Sequence, residues 1–198
     1  MEEVLKIKAL LEQDRPEGWD SLPDIELYMD QVVSYLPRQS VGGKVPSMTS
    51  AMINNYVKDG LLPRANGKRY NKEHLVYLTA IGLLKNVLTV KDMKILLDRQ
   101  IRSGTEAEFY KKVCDGVEEA FDAAAVGIDP QLSESELTDM ALRLALISCA
   151  AKTACEELLG LLHEKYPSES QKSKKEKEKE AAKREKAERK AAEKEISE

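Results

Sequence analysis

Long apolar runs are missing from this 198-residue sequence: none approaches the roughly 20 residues that a bilayer span needs, so no membrane partner is expected. The opening residues interleave Glu2, Glu3, Lys6 and Lys8 with apolar positions, which excludes a conventional secretory signal. Cysteine is scarce. An odd three (Cys114, Cys149 and Cys155), in a chain long enough to build a core without staples, points to a reduced, cytoplasmic protein. Cys149 and Cys155 are six apart, about 600° around a helix, so they face different sides; zinc ligands want shorter spacings and further partners. Catalytic signatures are missing too: there is no Ser/His/Asp grouping, paired-carboxylate motif or Gly-rich phosphate loop. Gly42-Gly43-Lys44 lacks the Ser/Thr and the following helix that a phosphate loop requires. The expectation is a protein that is not an enzyme and holds no metal or cofactor.

Charge is abundant but unevenly spread. The net charge of −4 divides into net +3 over residues 171–198 and net −7 over the rest. Within that acidic body, residues 38–72 carry Arg38, Lys44, Lys58, Arg64, Lys68, Arg69 and Lys72 against Asp59 alone, net +6. Such a cationic island on an acidic protein suits a polyanion.

Helical spacing dominates the chain. Val4, Ile7, Leu10 and Leu11 mark a short first helix. Pro23, with Asp24 and Glu26 behind it, predicts a second, with Ile25, Tyr28, Met29, Val32 and Leu36 as its apolar stripe and Pro37 as its end. Residues 37–47 read as loop. A helix from about Ser47 to Asp59 follows, with Ser50, Asn54 and Lys58 along one face and Gly60 as its stop. Pro63 and the Asn66-Gly67 pair signal a tight hairpin. Asn71 caps an almost wholly apolar helix to about Val87, which must be buried. Thr89 with Asp92 opens another, closed by Gly104. Thr105 with Glu108 and Ser133 with Glu136 are capping boxes for two more. The last of these helices extends to about His163, roughly 45 Å at 1.5 Å per residue. Between Met140 and Ala151 only Arg143 and Ser148 are polar, so this helix needs a second cover, which another protomer can supply. After Pro167 the Lys/Glu composition predicts a solvated helical or disordered extension with no coiled-coil seam.

The order over residues 22–100, namely helix, loop, short polar-faced helix, basic hairpin, buried helix and capped helix, describes a winged helix-turn-helix. Ser50, Asn54 and Asn55 are short donor–acceptor side chains suited to base edges or phosphates. Lys58, Arg64, Lys68 and Arg69 supply charge for the backbone of duplex DNA.

These residues also carry a resemblance. TSAMINNYVKDGLL (Thr49–Leu62) resembles the recognition helix of MerR-type regulators, whose S-x-x-I-x-x-Y-x-x-x-G-L pattern is met by Ser50, Ile53, Tyr56, Gly60 and Leu61. NGKRYNKEHL (Asn66–Leu75) is similar to that family's wing, and LKNVLTVKDMKILL (Leu84–Leu97) to the helix pair closing it. The pattern departs at Asn54, where that family usually places arginine, and the wing is a few residues shorter. The resemblance implies that Tyr56 and Arg69 contact the sugar-phosphate backbone while the 47–58 helix reads bases. Taken whole, and including LPDIELYMDQV (Leu22–Val32), the chain more closely resembles an uncharacterised bacterial domain-of-unknown-function family, number eighteen thirty-six.

The combined expectation is an all-α chain. It has an N-terminal extension (1–20), a MerR-like winged helix-turn-helix with a two-stranded wing (21–104), a helical dimerisation region (105–167) and a charged tail (168–198). Its function would be sequence-specific binding of double-stranded DNA as a homodimer, as in a transcriptional regulator, with room for a small-molecule effector or a protein partner. The alternative is an interaction module on the same fold that has lost DNA binding.

Overall fold

The computed structural model describes residues 2–44 and 46–165; the predicted tail lies outside them. Helices dominate, and the only extended pairing between named strands among the described residues joins two short segments. Contacts group the chain into one compact unit ending at Glu156 and a second beginning at Glu157.

At the centre of the first unit lies α4 (Lys72–Leu84), buried continuously from His74 to Gly82. Asn71 starts it by accepting from the His74 amide, while the Asn71 amide donates back to His74 Nδ1 at 3.2 Å. Helices α5 (Val90–Arg102) and α6 (Glu106–Val126) pack on it. Each begins at the threonine expected to cap it: Thr89 accepts from the Asp92 amide and Thr105 from the Glu108 amide. α1 (Glu2–Glu12) lies against α6. Arg15 fastens this contact, donating to the Leu11 carbonyl that ends α1 and to the Asp122 carboxylate on α6. Two glycines of the loop after residue 39, Gly42 and Gly43, have φ of +55° and +71°, and a Cβ on them would strike Phe121 and Leu10 respectively. The loop therefore closes over the α1–α6 contact only because those positions lack side chains.

A buried polar network joins the N-terminal segment to the helices. Tyr35 donates its hydroxyl proton to Glu17 at 2.6 Å and accepts from Gln39 Nε2 at 3.0 Å. The Tyr110 hydroxyl lies 2.7 Å from the Glu17 carbonyl and 3.0 Å from Gln39 Oε1. Burial, followed by the Glu17 contact, holds the Tyr35 phenol well above its ordinary value; burial does the same to Tyr110. Both remain protonated donors at any physiological pH.

The structure corrects the predicted helix at Pro23. Residues 23–26 form no helix, β1 is Leu27–Tyr28, and α2 covers only Met29–Tyr35 before a 3-10 turn over Leu36–Gln39. Ile25, assigned to the apolar stripe, is 68% exposed. The reason is local and tertiary together. The Tyr28 amide donates to Gln31 Oε1 at 2.8 Å, fixing the helix start at Met29, and β1 is held in extended form by its partner β2 (Arg69–Tyr70). The strands run antiparallel, with Leu27 opposite Tyr70 and Tyr28 opposite Arg69. The two-stranded sheet thus recruits a strand from a segment read as helix, rather than forming wholly within the hairpin.

Candidate nucleic-acid interface

Helix α3 (Ser50–Lys58) begins at Thr49, whose hydroxyl accepts from the Met52 amide. Ile53 and Tyr56 point into the core, leaving Ser50, Asn54, Asn55 and Lys58 on the exposed face. No acidic residue interrupts that face. Its ends are anchored by lysines from other helices. Lys85 donates to the Ser47 carbonyl just before α3, and Lys94 donates to the Asp59 carbonyl at its end at 3.0 Å. A cation at a helix C-terminus also complements the helix dipole.

Beyond α3 the chain reverses at Gly60 (φ +68°), and the Tyr56 carbonyl accepts from the amides of both Leu61 and Leu62. Buried Leu61 and Leu62 root the segment that carries Arg64. The Arg64 carbonyl lies 3.3 Å from His74 Nε2, which ties this segment to the start of α4. The Asn66-Gly67 pair forms the tight turn its sequence predicts: Asn66 and Arg69 exchange both backbone hydrogen bonds, at 3.0 and 3.1 Å, and Gly67 adopts φ +66°. Lys68 sits exposed at the tip.

Of the eight residues singled out from sequence, Ser50, Asn54, Asn55, Lys58, Arg64 and Lys68 are exposed, with no side-chain hydrogen bond or ion pair among the described residues. Tyr56 differs. It is only 8% exposed, and burial raises its phenol pKa. Its ring and hydroxyl belong to the packing that supports the surface from behind. Arg69 differs as well: its guanidinium lies 3.6 Å from Glu26 and stacks over the Tyr28 ring at 5.4 Å. Its neighbour Lys72 is paired with Asp24 at 2.7 Å and lies 4.6 Å from the Trp19 ring.

Sequence reasoning missed these partners. Glu26, Asp24 and Tyr28 reach the turn only because β1 is extended and pairs with β2. The available signal was the run Ile25-Glu26-Leu27-Tyr28, rich in strand-forming types, against which the proline and the acids argued for a helix start. The cationic island therefore divides: Lys58, Arg64 and Lys68 remain open, while Arg69 and Lys72 are partly answered by carboxylates.

The cysteines are separate free thiols, and burial raises the Cys114 pKa, away from the reactive thiolate. No helix among the described residues is long and apolar enough to cross a membrane. No curated protein and no solved structure matches the chain. A family model does match, over residues 17–117. That span starts at Glu17 of the polar network, contains the whole candidate surface and stops within α6. Covering more than half of the sequence, the match makes this chain a member of the family described as a domain of unknown function, DUF1836.

Proposed function

We propose that the chain is a sequence-specific DNA-binding protein, a transcriptional regulator on a MerR-like winged helix-turn-helix that engages duplex DNA as a cytoplasmic homodimer. The reading gives residues 21–104 to DNA and residues 105–167 to the dimer contact. One observation carries it. A helix held at both ends and the turn after it present six polar or cationic side chains with no hydrogen bond or ion pair among the described residues, on an acidic body. Ser50, Asn54 and Asn55 have the size and donor–acceptor character to read base edges from a helix in the major groove. Lys58, Arg64 and Lys68 supply phosphate contacts. Arg69 joins them if phosphate displaces Glu26, an exchange that a 3.6 Å exposed pair opposes only weakly.

The test is duplex binding by fluorescence anisotropy, using sequences selected from a random pool. If each of two protomers neutralises three phosphates, log affinity falls with log salt at a slope of about −5, and Lys68→Ala flattens it by about 2. Asn55→Ala weakens the selected sequence more than a scrambled one. Undetectable binding, or binding indifferent to salt and to Lys68→Ala, rejects the reading.

A second reading is favoured by the Arg69–Tyr28 stack. Tyr28 is 48% exposed, and an exposed aromatic carrying an arginine beside Glu26 is the composition of a protein-docking hot spot. In that case Arg69→Ala abolishes capture of one stoichiometric protein partner and leaves DNA affinity unchanged.

A further inference from the structure

The turn over Asn66–Arg69 has two legs, one entering through Arg64 and Ala65 and one leaving through Tyr70 and Asn71. A single buried side chain reaches both. His74, in the first turn of α4, is only 4% exposed. Its Nε2 lies 3.3 Å from the Arg64 carbonyl on the entering leg, and its Nδ1 lies 3.2 Å from the Asn71 amide nitrogen on the leaving leg. Tyr70 meets the imidazole edge to face, with ring centroids 5.3 Å apart and planes at 82°. Burial alone does not call for a polar ring here, since Leu75, Val76 and Leu78 beside it are fully buried and apolar. What distinguishes the imidazole is that it can accept at one nitrogen and donate at the other.

The place of one proton decides whether both legs are held. With the proton on Nε2, the ring donates to the Arg64 carbonyl and keeps its Nδ1 lone pair for the Asn71 N–H. With the proton on Nδ1, the ring donates instead to the Asn71 side-chain oxygen that lies against it, an oxygen already accepting from the His74 amide. That tautomer turns a lone pair toward the Arg64 carbonyl and leaves the Asn71 amide without its acceptor. The first arrangement serves two backbone groups and the second serves neither. We infer that His74 is a positioning residue, whose Nε2-protonated imidazole straps the two legs together and fixes where Arg64 and Lys68 stand. α3 is held by other means, through Lys85 on the Ser47 carbonyl and Lys94 on the Asp59 carbonyl. The surface therefore has two separately held parts, and His74 governs only the turn. Its consequence for DNA rests on the reading above: a turn already in place does not have to be ordered when phosphate arrives.

The test uses nuclear magnetic resonance of the full chain without DNA. Long-range proton–nitrogen spectra at about pH 8 show the His74 ring protonated on Nε2 alone; a proton on Nδ1 overturns the inference. His74→Phe keeps a ring beside Tyr70 but can make neither hydrogen bond. It speeds exchange of the Asn66 and Arg69 amides by about tenfold and leaves exchange over residues 53–58 of α3 unchanged. His74→Gln restores slow exchange in the turn, because its oxygen accepts from the Asn71 amide as in an ordinary capping box and its nitrogen donates to Arg64. An unchanged turn in His74→Phe, or equal acceleration in α3, overturns the inference, since His74 would then act through packing. If circular dichroism shows His74→Phe unfolded, the tautomer and His74→Gln decide, and a loosened turn in the folded glutamine variant overturns it. Duplex binding adds an independent reading. His74→Phe weakens it by about tenfold, and in that background Lys68→Ala flattens the salt slope by less than about 1 instead of about 2. The preference for the selected sequence over a scrambled one stays within about twofold of the parent, because α3 is undisturbed. A slope flattened by the full amount in the His74→Phe background overturns the positioning of Lys68. A parent with the expected tautomer and exchange pattern that binds no duplex supports the strap and rejects only the DNA reading.

Discussion

Helix α4 and residues 140–151 of α7 (Glu134–Lys165) are built from similar material and meet opposite fates. Both stretches are largely apolar, yet α4 is buried without interruption from His74 to Gly82 while Leu142, Leu146 and Ile147 of α7 stand mostly in water. The difference is what arrives around them. α5, α6 and the 3-10 turn after α2 converge on α4 from segments on both sides of it in sequence. An apolar pattern states that a helix requires cover. It does not state which chain provides it.

The sharpest way to break this comparison is to remove equivalent leucines. Leu78 in α4 is fully buried, so Leu78→Ala should cost about 2–5 kcal/mol through lost burial and a residual cavity. Leu142→Ala, measured at concentrations low enough to disfavour dimers, should stay within about 0.5 kcal/mol of the parent. Urea unfolding followed by circular dichroism measures both. Comparable losses would mean that α7 is covered by its own subunit and that the contrast is false.

The elements that sequence reading placed well are those whose determinants are local. Asn71, Thr89, Thr105 and Ser133 start helices through side-chain contacts only three residues long, and the Asn66-Gly67 turn is fixed by backbone chemistry within four residues. The exposed face of α3 was legible for the same reason, since period alone separates Ile53 and Tyr56 from Asn54 and Lys58. β1 was not legible. Leu27 meets Tyr70 across 43 positions of sequence, and nothing near Leu27 announces that pairing. The error at β1 then spread to the candidate site, because the acids it misplaced are those that answer Arg69 and Lys72. The polar network was equally hidden, since Glu17, Tyr35, Gln39 and Tyr110 form no motif in sequence.

That network sharpens the comparison at intermediate scale, because it is what gives the covered region one arrangement of its N-terminal segment. Tyr110→Phe keeps the ring and deletes the hydroxyl that serves the Glu17 carbonyl and Gln39 Oε1. Gln39 is fully buried, so its oxygen then has no water to turn to. The expected loss is about 1–3 kcal/mol in urea unfolding, against no measurable change for Tyr28→Phe on the exposed strand. A neutral Tyr110→Phe would show that the segment from Glu17 is held by apolar packing alone.

The smallest effect separates two copies of one motif. Glu108 closes the capping box of α6 and Glu136 that of α7. Both carboxyls are held below the ordinary glutamate value, Glu108 chiefly by the Thr105 amide and Glu136 chiefly by the Ser133 hydroxyl. A carboxylate with a depressed pKa in the folded state adds stability that is present above its unfolded value, near 4.5, and disappears as pH falls through its folded value. The consequence should differ with location. The first turn of α6 leads directly into buried Phe109 and Tyr110, so loosening it reaches the core; the first turn of α7 leads into solvent-exposed helix. Glu108→Gln, which keeps a hydrogen-bonding side chain but does not titrate, should flatten the fall of the urea midpoint between pH 5 and pH 3 by a small amount (the window follows from the depressed carboxyl pKa). Glu136→Gln should leave that curve unchanged while altering amide exchange at the α7 N-terminus alone. Equal changes in the global curve would require α7 to unfold together with the covered helices, and the division between them would vanish.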